Sequence, residues 1–473
     1  MNDSMSTSLR KASRTRGDRR SAVASGSFLL ASLMTAGAVQ AQSAAAPADD
    51  TLTFHGITLY GLVDIGLQYQ SHGAPISDFY PAGTADIVQK NSNHSTFGAT
   101  PSNLSQSRIG LQGIEPLSGD WSAVFKLETF FNPQSGDLSD ALKSETQNNG
   151  RALAAQTTNL DSSIAGQIFQ QSYVGVSSPT FGTFTFGRQN TTLADGVYKY
   201  DPQGVSYAFS LIGLSGTTAG AGDTQDRRLD SSLKYVGQFN GIHVGADYKF
   251  NGATGSANSA YELQLGGEFA GLSVDAYYSK IKDAIAVSAL SAAQVTGLPA
   301  LGLSSSNSLA GTVSDNSTYS IMAMYSFGAP KIYFGYEHIQ FANPSTPLAV
   351  GFDDIGGYKL GVVNNAAFPN DKVLLSVWAG VKYSVNPSLD LTAAYYWNHQ
   401  NSFGTGAVAG CSTTLSAQCS GNLNVFSVSA VYRLSKRFDT YAGFMYSDAT
   451  DGLASGFINR IDINPTVGVR YKF

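Results

Sequence analysis

The sequence predicts an all-β fold: a transmembrane, up-and-down antiparallel β-barrel of sixteen strands, with short periplasmic turns and long extracellular loops. Three observations carry this expectation. The last thirteen residues alternate apolar with polar to the chain's final atom, fifteen further segments repeat that alternation, and the connections between them are long and short in turn.

In the terminal stretch, Ile461, Ile463, Pro465, Val467, Val469, Tyr471 and Phe473 are apolar. Asp462, Asn464, Thr466, Gly468, Arg470 and Lys472 between them are polar or small. Only an extended strand sends those two sets to opposite faces. A cation-bearing face behind a wholly apolar one suits a wall between lipid and water. The segment taken alone is equally compatible with an edge of a soluble sandwich.

The chain opens with a processing segment. Arg10, Lys11, Arg14, Arg16, Arg19 and Arg20 form a cationic region, an apolar run follows to Ala38, and Val39-Gln-Ala41 is a small-residue cleavage site. Residues 1–41 are predicted to be a removed signal peptide, and 42–473 a single barrel domain beginning at Gln42. Cleavage takes away six cations and two acids, so the formal charge moves from −5 to −9, which disfavours a nucleic-acid partner. Fifty glycines and an apolar content of 42% fit a glycine-rich β fold better than a helical membrane protein.

The first strand, Ile57–Tyr69, sets Leu59, Val63, Ile65 and Leu67 against Asp64 and Gln68. The second, Ser107–Gly113, places Arg108 and Gln112 opposite Ile109 and Leu111; the third, from Trp121 to Phe131, opposes Lys126 and Glu128 to Phe125 and Leu127. The same rule gives strands near 167–177, 182–189, 230–238, 242–250, 261–269, 272–281, 318–327, 331–341, 372–385, 389–398, 424–434, 438–447 and 464–473. The connections between these segments divide into eight long loops and seven tight turns. That segregation is what a membrane barrel shows when its two rims meet different compartments. Lipid cannot satisfy an open sheet edge, so the sheet must close, and sixteen strands leave an aqueous lumen. Aromatics near strand ends, among them Tyr69, Tyr248, Phe327, Tyr383, Trp397 and Tyr446, fit interfacial girdles, although ordinary strand preference accounts for any one of them.

The uncharged run Ala284–Ser314 contains Pro299 and is mostly Ser, Ala, Gly and Thr, so it is expected to be a solvated loop and not a spanning helix. Cys411 and Cys419, in an exported chain, are expected to form a local disulfide. No metal site or cofactor is implied. Neither a nucleophile elbow, a zinc-binding histidine pair nor a phosphate loop occurs, so an enzyme is not expected.

Several segments resemble the Gram-negative outer-membrane general porins, particularly the beta-proteobacterial, trimeric, sixteen-stranded type. They are Leu59-Tyr-Gly-Leu-Val-Asp64, Ser107-Arg-Ile-Gly-Leu-Gln-Gly113, Tyr173-Val-Gly-Val176, Phe181-Gly-Thr-Phe-Thr-Phe-Gly-Arg-Gln189, Leu434-Ser-Lys-Arg437 and the terminal Phe473. The resemblance implies an outer-membrane channel for passive diffusion of ions and small hydrophilic solutes, in contact with lipid and lipopolysaccharide. It also implies a homotrimer, and recognition of the last strand, with Tyr471 and Phe473, by the outer-membrane assembly machinery. The third long loop, 190–229, would fold into the lumen as the constriction, with Asp195, Lys199 and Asp201 facing the wall cations Arg108, Lys126, Arg188 and Lys234. Such a transverse field is expected to leave little net ion preference.

Two departures from that pattern stand out. Gln170-Gln171 replaces an arginine often found before the Tyr-Val-Gly segment, and Arg188 shares parity with Phe184 and Phe186, reaching the lumen only if Gly187 bulges the strand. Two other functions stay open at this stage: an adhesive or structural barrel with a plugged lumen, and an outer-membrane hydrolase with dispersed catalytic residues.

Overall fold

A computed structural model describes residues 52–72, 94–134, 136, 169–212, 228–250, 259–289, 298–301, 309–345, 354–355, 358–364, 370–404, 419–452 and 459–473. Its first strands are β1 (Leu52–Phe54), β2 (Ile57–Gln70), β3 (Thr96–Pro101), β4 (Arg108–Pro116) and β5 (Ser122–Phe130). Next come β6 (Gln171–Ser178), β7 (Gly182–Asn190), helix α1 (Thr192–Tyr200), β8 (Arg228–Phe239), β9 (Ile242–Lys249) and β10 (Ala260–Phe269). The middle of the chain forms β11 (Leu272–Ala289), β12 (Leu309–Ser326), β13 (Pro330–Ala342), β14 (Asp354–Ile355) and β15 (Tyr358–Asn364). The last five are β16 (Lys372–Asn386), β17 (Leu389–Gln400), β18 (Gly421–Arg433), β19 (Phe438–Asp451) and β20 (Ile461–Lys472).

Sixteen of these strands form the wall, and β1, β3, β14 and β15 are accessory. Each wall strand pairs antiparallel with the next, and β20 pairs with β2 from Leu62↔Lys472 to Gln68↔Thr466, which closes the barrel. Closure leaves no spanning edge unpaired. Among the described residues no helix is long and apolar enough to cross a membrane.

The pleat sorts the side chains as the alternation requires. Outward positions such as Phe186, Leu265, Ile321, Phe426, Ile463 and Val467 are exposed, and inward ones such as Asp64, Asp275, Asn398 and Arg470 are buried. An apolar exterior around a polar interior inverts a soluble protein and matches immersion in lipid. All seven short turns lie at one rim. At two of them, Asn240-Gly241 and Ala270-Gly271, both residues have positive φ, the geometry of a tight hairpin whose twist matches its strands.

The structure corrects several boundaries. The two ends of the segment expected to be a solvated loop, 284–289 and 309–314, instead lengthen the hairpin, since β11 and β12 stay paired from Ala284↔Ser314 to Ala289↔Leu309 beyond a bulge after Ile281. Ile285, Val287, Thr312 and Val313 are β-branched, which favours continued pairing over a run's merely small composition. Within the long connection after β2, β3 adds a second partner to that strand, and β15 lies parallel to the start of β12.

Candidate functional site

The barrel interior is organised by one inserted segment, residues 191–212 between β7 and β8. Thr191 caps α1, its hydroxyl accepting from Ala194 N at 3.0 Å. Two wall carboxylates hold the same helix end. Asp247 on β9 accepts from Thr192 N at 2.6 Å, and Glu262 on β10 accepts from Leu193 N at 3.0 Å. Those carboxylates are direct cross-strand neighbours, and their repulsion is relieved by the helix N-terminus and by Lys234, which stands opposite Asp247 on β8. Lys234 Nζ also reaches Asp195 at 2.5 Å and the Asn190 carbonyl at 2.9 Å. At the other end of α1, Lys199 pairs with Asp275 at 3.2 Å and Glu268 at 3.3 Å, while the Tyr200 hydroxyl donates to Asp275.

Past the helix, charge gives way to neutral contacts. Trp378 Nε1 donates to the Tyr200 carbonyl at 3.0 Å, and the Tyr396 hydroxyl donates to Asp201 at 2.6 Å. Gln203 bridges Ser427 and Ser429 on β18. Ala208 N donates to the Asn103 carbonyl at 2.9 Å, and Phe209 packs edge-on to Tyr441. Leu193, Val197, Tyr200, Leu211 and Ile212 form one apolar cluster with Tyr277, Met322, Trp378, Tyr396 and Met445 of the wall. Each such side chain stabilises the insertion by about 1.5–3 kcal/mol on burial. The insertion therefore runs from the β8–β11 wall across the interior to β19.

A second charged group lines the wall beside it. Glu128 on β5 lies 3.5 Å from Lys126 and 3.8 Å from Arg108, and accepts from Tyr60 at 2.9 Å and Gln171 at 2.9 Å. Gln171 thus occupies the place of the missing arginine as an amide donor to this acid.

The Gram-negative porin family matches residues 26–452, most of the chain. The chain belongs to that family. A Bordetella pertussis outer membrane porin protein is 25% identical over 429 residues, covering 88% of this chain and 94% of that protein. Solved structures agree on the fold. An anion-selective porin from Comamonas acidovorans aligns with a TM-score of 0.57 at 17% identity, covering 88% of this chain and 99% of that one. OmpT of Vibrio cholerae in its trimer form gives 0.53 at 19% identity, over 88% and 99%. The protein is thus a porin of the Gram-negative outer membrane, a barrel through which solutes diffuse passively.

The porin's geometry brings most of the sequence-derived residues together, with corrections. Asp195 and Lys234 meet, and Arg108 and Lys126 share Glu128. Lys199 is tied back to the wall, so it does not stand opposite the cations of β4 and β5. Asp201 is buried and caps its own turn, accepting from Val205 N at 2.6 Å and Gln203 N at 3.3 Å besides Tyr396. It does not face Arg108, Lys126 and Lys234. Burial pushes the Asp201 carboxyl above the ordinary carboxylate range.

Gly187 does not bulge its own strand: the extra residue lies opposite, at Asp230–Ser231 of β8, where Ser231 has a φ of +50°. The φ of Gly187 is +136°, the β7–β8 register shifts between Gly187 and Gln189, and Arg188 pairs with Asp230 at 2.5 Å. β7 stays in register with β6 through Arg188, so Arg188 keeps the parity of Phe184 and Phe186, and its side chain, 11% exposed, is covered where it pairs with Asp230 of the β8 bulge. Tyr471 points outward and Phe473 exchanges two backbone hydrogen bonds with Gly61. Cys419 is buried and carries no free thiol, while Cys411 lies outside the described residues, as do 213–227 of the inserted loop.

Sequence reasoning missed α1 and the residues that anchor it, notably Trp378, Tyr396 and Asp275. A signal for the helix was present in Thr191 as cap, Asp195 in the first turn and Lys199 in the last.

Proposed function

We propose that this porin is a water-filled passage for ions and small hydrophilic solutes whose narrow section is formed by residues 190–229 against the wall cations Arg108, Lys126 and Lys234. The observation that carries this is the two-ended fixation of 191–212 inside a closed barrel, because a tethered inserted loop narrows a lumen without filling it. Asp195 is its acidic member and Lys199 its basic one. The protein acts as a channel and not as an enzyme.

Assembly as a homotrimer is supported by the trimer form of the Vibrio cholerae relative. Residues 1–41 are removed on export, Cys411 and Cys419 are bridged, and Tyr471 with Phe473 is read by the outer-membrane assembly machinery, in a membrane of lipid and lipopolysaccharide. Planar-bilayer recording of purified oligomer tests the whole reading: step conductances are expected, with a heat-modifiable band at the trimer's size on gels. Absence of conductance in folded oligomer overturns the passage. N-terminal sequencing should begin at Gln42, and thiol titration of unreduced, denatured protein should find no free cysteine.

A further inference from the structure

Four inward side chains stand side by side on β12, β13, β16 and β17. Ser320 is the direct cross-strand partner of Glu337, Glu337 of Ser376, and Ser376 of Asn398. All four are buried, Glu337 and Ser376 at 0% exposure and Asn398 at 1%. Apolar layers close this row on both sides, each two residues, or about 6.6 Å, along the strands. Toward the short-turn rim lie Met322, Trp378 and Tyr396, the seat of the inserted segment, and the Trp378 indole lies across Gly335, where a methyl group would overlap its ring. Toward the long-loop rim lie Ile339 and Leu374, packed with Phe341 and Phe403.

Polar atoms enclosed between two apolar layers need partners. Ser320 Oγ, Ser376 Oγ and Asn398 Oδ1 have none among the described residues. Cross-strand neighbours in such a row stand about 5 Å apart. Ser376 is the short side chain between two long ones, so Glu337 and Asn398 reach over it, and a carboxylate, a hydroxyl and an amide oxygen converge at one notch. An all-oxygen set suits a hard cation. One carboxylate among neutral oxygens matches a single positive charge, whereas a divalent ion calls for more acids. Among the described residues no group of three or more His, Cys, Asp or Glu side chains is placed to hold a metal ion. A carboxylate offers two oxygens and about four acceptor positions, so Glu337 serves a cation beside any other partner it has.

We infer that Glu337, Ser376 and Asn398 form a binding site for one alkali cation, sodium or potassium, set into the inner wall beside the seat of the inserted segment, with Ser320 as a flanking hydroxyl. The row is closed from solvent, so the ion is a structural one and not part of the permeating stream. Trp378 and Tyr396, which hold the Tyr200 carbonyl and Asp201, follow Ser376 and precede Asn398 by two residues on the same inner faces. A bound cation therefore fixes the two strands that carry this seat, and its loss loosens the second half of the insertion.

Thermal unfolding of the purified, folded porin in sodium chloride and in potassium chloride is compared with N-methyl-D-glucamine chloride at equal ionic strength, which holds general screening constant. At least one alkali salt should raise the midpoint progressively, by about 3 °C at a hundredfold excess over its dissociation constant. Glu337→Gln, Ser376→Ala and Asn398→Leu should each erase the difference between alkali and organic salt, while Ser376→Thr, which keeps a hydroxyl, should retain it. Crystals of the wild type soaked in rubidium chloride should show an anomalous peak against Glu337, Ser376 and Asn398. A midpoint equal in all three salts overturns the inference, and so does a rubidium-soaked crystal with water alone at the notch. Both of these readings are made on the wild type, so a variant that fails to assemble does not remove the test. Neither depends on conductance, and failure of the passage proposed above leaves them standing.

Discussion

The two halves of the inserted segment are held by opposite means. From Thr191 to Lys199 it is fixed by ions: Asp247, Glu262, Lys234 and Asp275 on four adjacent strands grip a helix dipole and two side chains. From Tyr200 to Ile212 it is fixed by Trp378, Tyr396, Gln203 and an apolar cluster, with Asp201 as the one acid. The first half is short, regular and rich in partners that lose their value if one is removed. The second is irregular and depends on packed volume. Damage should therefore spread differently: charge deletion in the first half leaves buried ions without a partner, and truncation in the second leaves a hole.

The largest effect is expected at Lys234. Lys234→Met strands Asp195, Asp247 and Glu262 together in the interior, and removing one partner of a buried ion group costs about 3–5 kcal/mol. Thermal unfolding of the purified porin should show a lowered midpoint, and single-channel records should show added noise as the helix detaches. A wild-type midpoint would mean that the ionic grip is incidental.

Trp378→Ala should come next, because this indole is fully buried and its truncation also removes the donor to the Tyr200 carbonyl. About 3–5 kcal/mol is the usual loss for such a truncation, and here part of it is absorbed by loop movement. Trp378→Phe should recover most of the midpoint but not the hydrogen bond. If Ala and Phe behave alike, packing is not what holds the second half.

Gly187→Ala is a smaller, local break. The residue sits at φ +136° against the Ser172 carbonyl, so a methyl group strains β7 opposite the β8 bulge by about 1–3 kcal/mol and should loosen the Arg188–Asp230 pair. A wild-type unfolding midpoint would show that this stretch of β7 accommodates a side chain without strain.

The smallest effect concerns pH. Burial raises the Asp201 pKa in the folded state, so folded protein binds the proton more tightly than unfolded protein, and the contribution of this group to stability is lost as pH rises through that raised value. Acidification from neutrality toward the ordinary carboxylate range should therefore stabilise wild type relative to Asp201→Asn, measured as the difference in unfolding midpoint. A difference independent of pH would place Asp201 in a wetter setting than its partners indicate.

These contrasts also show what the sequence could reveal. The wall was legible because period-two alternation is a local property: Ile461 to Phe473, read alone, shows its two faces, whereas its register with β2 at the seam comes only from the pairing. The parity of Arg188 was legible in the chain, but the bulge that meets it lies at Asp230–Ser231 on β8, which nothing near Gly187 announces. The interior was not legible. Thr192-Leu-Ala-Asp-Gly-Val-Tyr-Lys-Tyr200 contains glycine and a β-branched residue, poor material for an isolated helix, and it holds its form through Asp247 and Glu262, more than fifty residues away. Asp201 looked like a lumen acid because nothing local announces Tyr396 as its donor. The continued pairing of Ala284–Ala289 depends on Leu309–Ser314 across the hairpin, which composition alone does not disclose.

Single-channel conductance of a variant in which Leu193–Ile212 is replaced by a short glycine-serine link bears most directly on a loop that narrows an open barrel. Removing the inserted segment should leave the sixteen-stranded wall assembled and raise conductance severalfold above the wild-type step. A folded variant whose conductance equals or falls below that step would contradict it.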